Sequence, residues 1–295
     1  MVNPVMIAKV NIIRHAKSTR PRQAVDSVAV EEPLEIRVRG RNVAVTMRTP
    51  SHDHELAAGF LLTEGILKQR SDVTEIAPCV RGENSDNTLN VFLAPKVRVD
   101  FKELTRHVFA SSSCGLCGKA SIDAVHQHFA PIAPGMTIKD SILFTLPQKA
   151  RSAQKTFDQT GGLHAAAIFD SRGKMIVLRE DVGRHNAVDK VIGFAFLHEL
   201  LPLDRHVLLV SGRASFEIMQ KALAARIPMV AAVSAPSSLA VEFADESGQT
   251  LVGFLRGERM NIYSHPARIT CRTPKPDNRA NPGRRITLSS GRGLG

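Results

Sequence analysis

Apolar and polar residues alternate in two short runs near the start of the chain. Leu34, Ile36 and Val38 alternate with polar neighbours, Gly40 interrupts, and Val43, Val45 and Met47 resume the alternation. A period of two on either side of a turn residue predicts a β-hairpin. Pro50, Ser51 and Asp53 then mark a helix entry, and the apolar positions of 55–67 recur at helical spacing. Residues 88–109 read as further strands and 120–129 as a short helix. The stretch 130–151 contains Pro131, Pro134, Gly135 and Pro147. It reads as turns and carries the expected domain boundary.

The pattern is cleaner in the second half. Runs at 163–169 and 175–178 flank Asp170-Ser171-Arg172-Gly173-Lys174 and predict another hairpin. Residues 188–201 have a helical pattern. An apolar strand is expected at 206–210, a helix at 214–226, an apolar strand at 229–233 and a helix at 237–246 closed by Gly248. Strands at 250–255 and 260–263 surround the turn Arg256-Gly257-Glu258-Arg259. Strands alternating with helices of this length indicate a layered α/β domain with a partly parallel sheet. There is no internal repeat.

The chain has 295 residues, enough for one large or two ordinary domains. The net charge of +11 suggests a polyanion partner until it is located. Residues 1–24 carry +5 and residues 265–295 carry +6, which leaves the stretch between them neutral. Basic, Pro/Gly/Ser-rich ends read as solvated tails. With one Tyr and no Trp, stacking platforms for single-stranded nucleic acid are thin, so no nucleic-acid partner is expected. No apolar run is long enough for a membrane span. Lys9, Asn11 and Arg14 interrupt what would be the core of a secretory signal. Four dispersed cysteines suit a reducing compartment, and the expected location is cytoplasmic.

Chemistry concentrates at Ser112-Ser113-Cys114-Gly115-Leu116-Cys117-Gly118-Lys119. Each thiol is followed by glycine, and Lys119 favours the thiolate, the form that attacks sulfur or binds metal. Three readings stand. Zinc needs four ligands, and His126 and His128, two positions apart, do not share a helix face. A dithiol redox pair belongs between a strand and a helix start. The third reading is carriage of a sulfane sulfur as a persulfide. His164 lacks the glutamate two residues on that a zinc deaminase requires, since Ala166 stands there.

Other polar stretches lie where strands hand over to helices. Glu180, Arg184 and His185 suit a polar ligand, although Asp181 or Asn186 also suits a helix cap. Ser211, Gly212 and Arg213 offer main-chain amides and a guanidinium to an anion, and 234–238 repeats the arrangement. Phe254, Leu255, Arg256, Gly257, Glu258 and Arg259 form either a plain hairpin turn or a site for phosphates and a purine edge.

Taken in order, these motifs resemble those of the formate dehydrogenase accessory sulfurtransferases, the FdhD/NarQ family. The match runs from about Pro33 to Ser264 and rests on 33–40, 54–65, 113–118, 160–166, 180–189, 211–213 and 254–263. The resemblance implies a cytidine-deaminase-like three-layer α/β domain at 151–264. It also implies a smaller α+β accessory region at 27–150 carrying the CxxC loop, with disordered basic tails at 1–26 and 265–295. It implies a homodimer and a sulfurtransferase in which Cys114 takes sulfur from a cysteine desulfurase as a persulfide. Cys117 is then auxiliary. The sulfur goes to the molybdenum bis(guanine dinucleotide) pterin cofactor, a transient ligand held by 254–259 and 211–213, before that cofactor enters formate dehydrogenase. No resident metal is expected. Two other classes remain: a cofactor chaperone without sulfur chemistry, and a CxxC dithiol oxidoreductase.

Overall fold

In the computed structural model, residues 5–79, 87–101 and 129–271 are described. The chain opens with an antiparallel ribbon, β1 (Ile7–Arg14) with β2 (Arg22–Ala29). Next come β3 (Glu32–Val38), β4 (Arg41–Arg48), helix α1 (Asp53–Thr63), β5 (Val73–Pro78) and β6 (Thr88–Leu93). Strands β3 to β6 make a four-stranded sheet in the order β4-β3-β6-β5. The first hairpin forms, but the alternation holds only in β3: an irregularity in the ladder leaves Val45 and Met47 of β4 exposed. Leu34, Ile36 and Val38 turn inward and are completely buried.

The middle of the chain holds β7 (Ile138–Lys139) and three short helices, α2 (Asp140–Leu143), α3 (Leu146–Ala153) and α4 (Lys155–Thr160). Pro147 sits in the first turn of α3, where its missing N–H breaks no helical bond. Prolines that read as turns therefore start a helix here. The second half is β8 (His164–Asp170), β9 (Met175–Asp181), α5 (Arg184–Leu197), β10 (His206–Val210), α6 (Phe216–Ala224), β11 (Met229–Ala232), α7 (Ser238–Glu246), β12 (Thr250–Arg256), β13 (Arg259–Ser264) and β14 (Ile269–Thr270).

Six of these strands form one mixed sheet, ordered β13-β12-β11-β10-β8-β9. The trio β10, β11 and β12 is parallel, and β8 runs against β10. Both faces are covered, which is why its central strands are apolar at every position. Ala166, Ile168, Leu208, Val210, Val230 and Ala232 face α5, α6 and α7. Their neighbours Ala167, Phe169, Val207, Leu209, Met229 and Ala231 face α2 and α3.

The core is continuous across residue 150. Leu34, Ile36, Leu56 and Leu61 belong to the same buried cluster as Val188, Val191, Leu208 and Met219. The join is the crossing of α1 on α5, where Gly59 meets the Asp189 carbonyl and Gly193 meets the Glu55 carbonyl. A Cβ at either glycine would overlap that main-chain oxygen.

Both expected tails are partly structured. Residues 7–29 pair as the β1–β2 ribbon, in which Ala8 registers against Val28, Val10 against Asp26 and Ile12 against Ala24. At the other end, Ile269 and Thr270 pair with β7, and Arg268 is buried. Of the expected C-terminal tail, 272–295 lies outside the described residues, as does nearly all of the expected helix at 120–129. Among the described residues, no helix is long and apolar enough to cross a membrane.

Replacing Gly193 with alanine is expected to cost about 3 kcal/mol or more, since only movement of one helix backbone relieves the overlap. Urea unfolding of Gly193→Ala against wild type measures it. A loss under 1 kcal/mol would show that the crossing tolerates a methyl group.

Candidate functional site

The topology gathers the polar stretches at one edge of the six-stranded sheet. Strands β9, β10, β11 and β12 end there, and β8 and β13 begin there. His164 therefore stands in register with Asp181, beside Ser211–Arg213, Ser234 and the Arg256–Arg259 turn. Ligands of open α/β sheets bind in this position, outside the carboxyl ends of the parallel strands.

A cavity of about 600 Å³ opens at this edge. Its floor is the start of β8, where Ala165 and Ala167 leave room that larger residues would fill. Phe144, Arg151 and Phe157 of the α2–α4 segment form its wall, and Ser211, His164 and Gly257 reach its rim. The Ser211 hydroxyl accepts the Ala165 N–H at 2.9 Å, which ties the two strand ends together. The wall is fixed from the sheet. Both Glu180 carboxylate oxygens accept main-chain N–H bonds at the start of α4, from Thr156 at 3.0 Å and Phe157 at 2.8 Å. Glu180 is thus a helix anchor, not a ligand-facing acid.

Asp181 organises the neighbouring turn. Its fully buried carboxylate accepts from Gly183 N–H, Asn186 Nδ2, Thr49 N–H and Lys190 Nζ at 2.8, 3.1, 3.2 and 2.6 Å. Four donors satisfy a charge that burial would otherwise make prohibitive. Gly183 is needed because a Cβ there would press on the Asn186 amide. The result fixes the first turn of α5 and with it Arg184 and His185. One turn deeper, Asp189 is held by Lys221 at 2.8 Å and by Thr63 at 3.0 Å.

His185 meets α6. Its Nε2 lies 3.0 Å from Glu217 Oε2 and 3.3 Å from Ser215 Oγ, and Ser215 Oγ donates to Glu217 at 3.0 Å. The hydrogen bond from His185 pulls the Glu217 carboxyl down to about 2. His164 moves the other way on the cation scale. Burial, then the nearby Arg184, His185 and Arg213, lower its pKa and favour the neutral ring.

The expected ligand residues separate by position. Ser211 and Gly257 line the cavity, and Gly212 lies against the His164 ring, where a Cβ would stand 3.3 Å from Nδ1. Arg213, Glu258 and Arg259 are exposed at the same edge, and Arg256 donates Nε to the Val233 carbonyl at 2.9 Å. Leu255 differs: its side chain is fully buried in the core below. A bulge in the β12–β13 ladder puts Phe254 at φ +52° and turns its ring outward, 40% exposed. Cys114 and Cys117 lie outside the described residues, as do His126 and His128. Two groups escaped the sequence reading. Glu217 looks like an ordinary first-turn acid, and only the fold brings it to His185. The cavity wall comes from a stretch that reads as turns.

Fold and site together define a mixed α/β protein with a crevice at its strand ends and arginines at its edge. Comparison with known proteins carries this further. The model of the FdhD/NarQ family matches residues 29–270, and the chain belongs to that family. A relative from Mycobacterium tuberculosis named Sulfur carrier protein FdhD is 53% identical over 267 residues, covering 88% of this chain and 97% of the relative. A Sulfolobus acidocaldarius protein of the same name is 43% identical over 265 residues, covering 90% and 99%. A crystal structure from Desulfotalea psychrophila, described as a formate dehydrogenase accessory protein, superposes with a TM-score of 0.73 at 25% identity. It covers 90% of this chain and 100% of that one.

Two measurements check the site's energetics. Lys190→Met, which strands the buried Asp181 carboxylate, is expected to cost about 3–5 kcal/mol in urea unfolding. An unchanged midpoint would refute the account of the turn. Glu217 has its carboxyl lowered from 4.5 to about 2 in the folded state, so its stabilisation is complete above pH 4.5 and is lost as pH falls through 2. The stability gap between wild type and Glu217→Gln is therefore expected to narrow from pH 6 to pH 3. A constant gap would mean that the charge contributes nothing.

Proposed function

We propose that this chain is a sulfur carrier serving formate dehydrogenase, with Cys114 as the carrier and the strand-end crevice as the seat of the receiving cofactor. What carries the reading is membership of the FdhD/NarQ family in a chain that holds the Cys114-Gly115-Leu116-Cys117-Gly118 stretch. The Cys114 thiolate attacks the terminal sulfur of a donor persulfide on a cysteine desulfurase. A new S–S bond forms at Cys114, the donor's S–S bond breaks, and the donor leaves as a thiolate, so electrons balance as in thiol–disulfide exchange. Cys117 is an auxiliary thiol. The recipient is a molybdenum bis(guanine dinucleotide) pterin cofactor, bound as substrate. Arg259, Arg213 and the strand-end amides suit its phosphates, and the cavity suits a flat ring between Phe144 and Phe157.

Chain length permits the transfer. Cys114 lies thirteen residues beyond Phe101 and fifteen before Phe129. An extended chain of that length reaches roughly 45 Å. Phe101 carries the Arg41 guanidinium over its ring, and Arg226 binds the Ala130 carbonyl. Arg41 opens β4, whose far end meets Asp181, and Arg226 follows the end of α6 remote from Ser215.

Cys114→Ala is expected to abolish activation of formate dehydrogenase while leaving guanosine diphosphate binding measurable. After incubation with a cysteine desulfurase and cysteine, the wild type gains the mass of one sulfur at Cys114. Full formate dehydrogenase activity with only the Cys114→Ala protein would leave the cofactor-chaperone reading in its place. Arg259→Ala is expected to weaken guanosine diphosphate binding about tenfold by calorimetry. Unchanged affinity would move the phosphates elsewhere.

A further inference from the structure

Several arginines of the fold meet carboxylates: Arg48 pairs with Asp53, Arg179 with Glu55, and Arg37 with Glu35. At the strand-end crevice this neutralisation is missing. Arg184 and Arg213 have no ion pair among the described residues, and Arg184 Nε is buried with no hydrogen-bond partner. A buried guanidinium N–H without a partner is a group for which the protein alone provides no acceptor. These cations surround His164, whose ring lies against the main chain at Gly212.

The carboxylates of Asp181 and Glu217, beside these cations, are already committed. Asp181 is saturated by Lys190, Asn186 and main-chain N–H groups. Glu217 accepts from Ser215 and sits on His185 Nε2. A ring held at Nε2 by a carboxylate keeps a proton there, and in the imidazolium form its Nδ1–H is the donor left for an anionic ligand. Arg184 and His185 come from the first turn of α5, Ser215 and Glu217 from the start of α6, Arg213 from the connection before it, and His164 from β8. Three separate elements therefore contribute to one cationic seat beside the cavity.

We propose that Glu217 is a positioning residue: with Ser215 it holds His185 by Nε2, so that Nδ1 joins Arg184 and Arg213 in binding a phosphoryl group of the ligand. The assignment rests on the reading that the crevice receives a nucleotide-bearing cofactor, and it goes further by separating a phosphoryl seat from the cavity that takes the ring. Glu217 does not touch the ligand. Its role is to decide which His185 nitrogen faces the ligand.

The test uses the full chain, with inorganic pyrophosphate as the probe for the seat and guanosine diphosphate as the probe for the whole crevice. In imidazole NMR, pyrophosphate is expected to shift the His185 resonances of wild type. Glu217→Gln keeps the shape and loses the charge. It is expected to weaken pyrophosphate about tenfold at pH 7. His185→Asn is expected to weaken pyrophosphate likewise, and adding Glu217→Gln to it is expected to weaken binding no further. A helix-capping role alone would lower the melting temperature and leave the pyrophosphate affinity where it is. Pyrophosphate that leaves His185 of wild type unperturbed overturns the seat. Equal perturbation and affinity in wild type and Glu217→Gln overturns the positioning role. Pyrophosphate binding without guanosine diphosphate binding keeps the seat and rejects the nucleotide reading.

Discussion

The crossing of α1 on α5 is the contact on which the remaining geometry depends. Two glycines let the helix backbones approach until each meets the other's carbonyl oxygen. The N-terminal four-stranded sheet packs on the outside of α1, and the six-stranded sheet packs under α5. A change in that spacing would therefore carry the first sheet away from the second and tilt the first turn of α5. That turn holds Asp181's partners and His185, so the position of the site is set by close packing more than a helix turn away.

Buried charge adds specificity to this packing. The pairs Lys190–Asp181 and Lys221–Asp189 are almost wholly removed from water. Such pairs repay little of their desolvation cost as net stability, but breaking one is expensive. Both reach across elements: Lys190 also donates to the Thr49 carbonyl and Lys221 to Thr63. A slipped register of α5 against α1 or α6 would strand at least one of these charges. The apolar contacts alone would tolerate that slip far better.

Much of the second half of the fold was legible because its strands are buried on both faces and read as short apolar runs. The strand at 206–210 forms as expected, and the helix at 237–246 differs by one residue. The ligand-side stretches were legible as polar insertions between such runs, and the topology brings them to one sheet edge. What failed has physical reasons. Leu255 was grouped with its neighbours, but the alternation of β12 sends it into the core. Glu180 looked free and is consumed by the N-terminus of α4. Glu217 could not be paired with His185, because a contact over thirty residues of sequence has no local signature. The ribbon at 7–29 was hidden by its charge, which dominates composition while the alternating aliphatic residues are few.

That ribbon has a further consequence. Among the described residues, β1 and β2 pair only with each other in the sheet pattern, and the family match begins at 29, where the ribbon ends. Its last residue, Ala29, touches Gly162 near the rim of the cavity. No ladder of the remaining sheets includes it. Such a segment can be lengthened, exchanged or lost without reopening the folding problem of the core. Descent can therefore retouch the approach to the crevice while leaving the site itself unchanged.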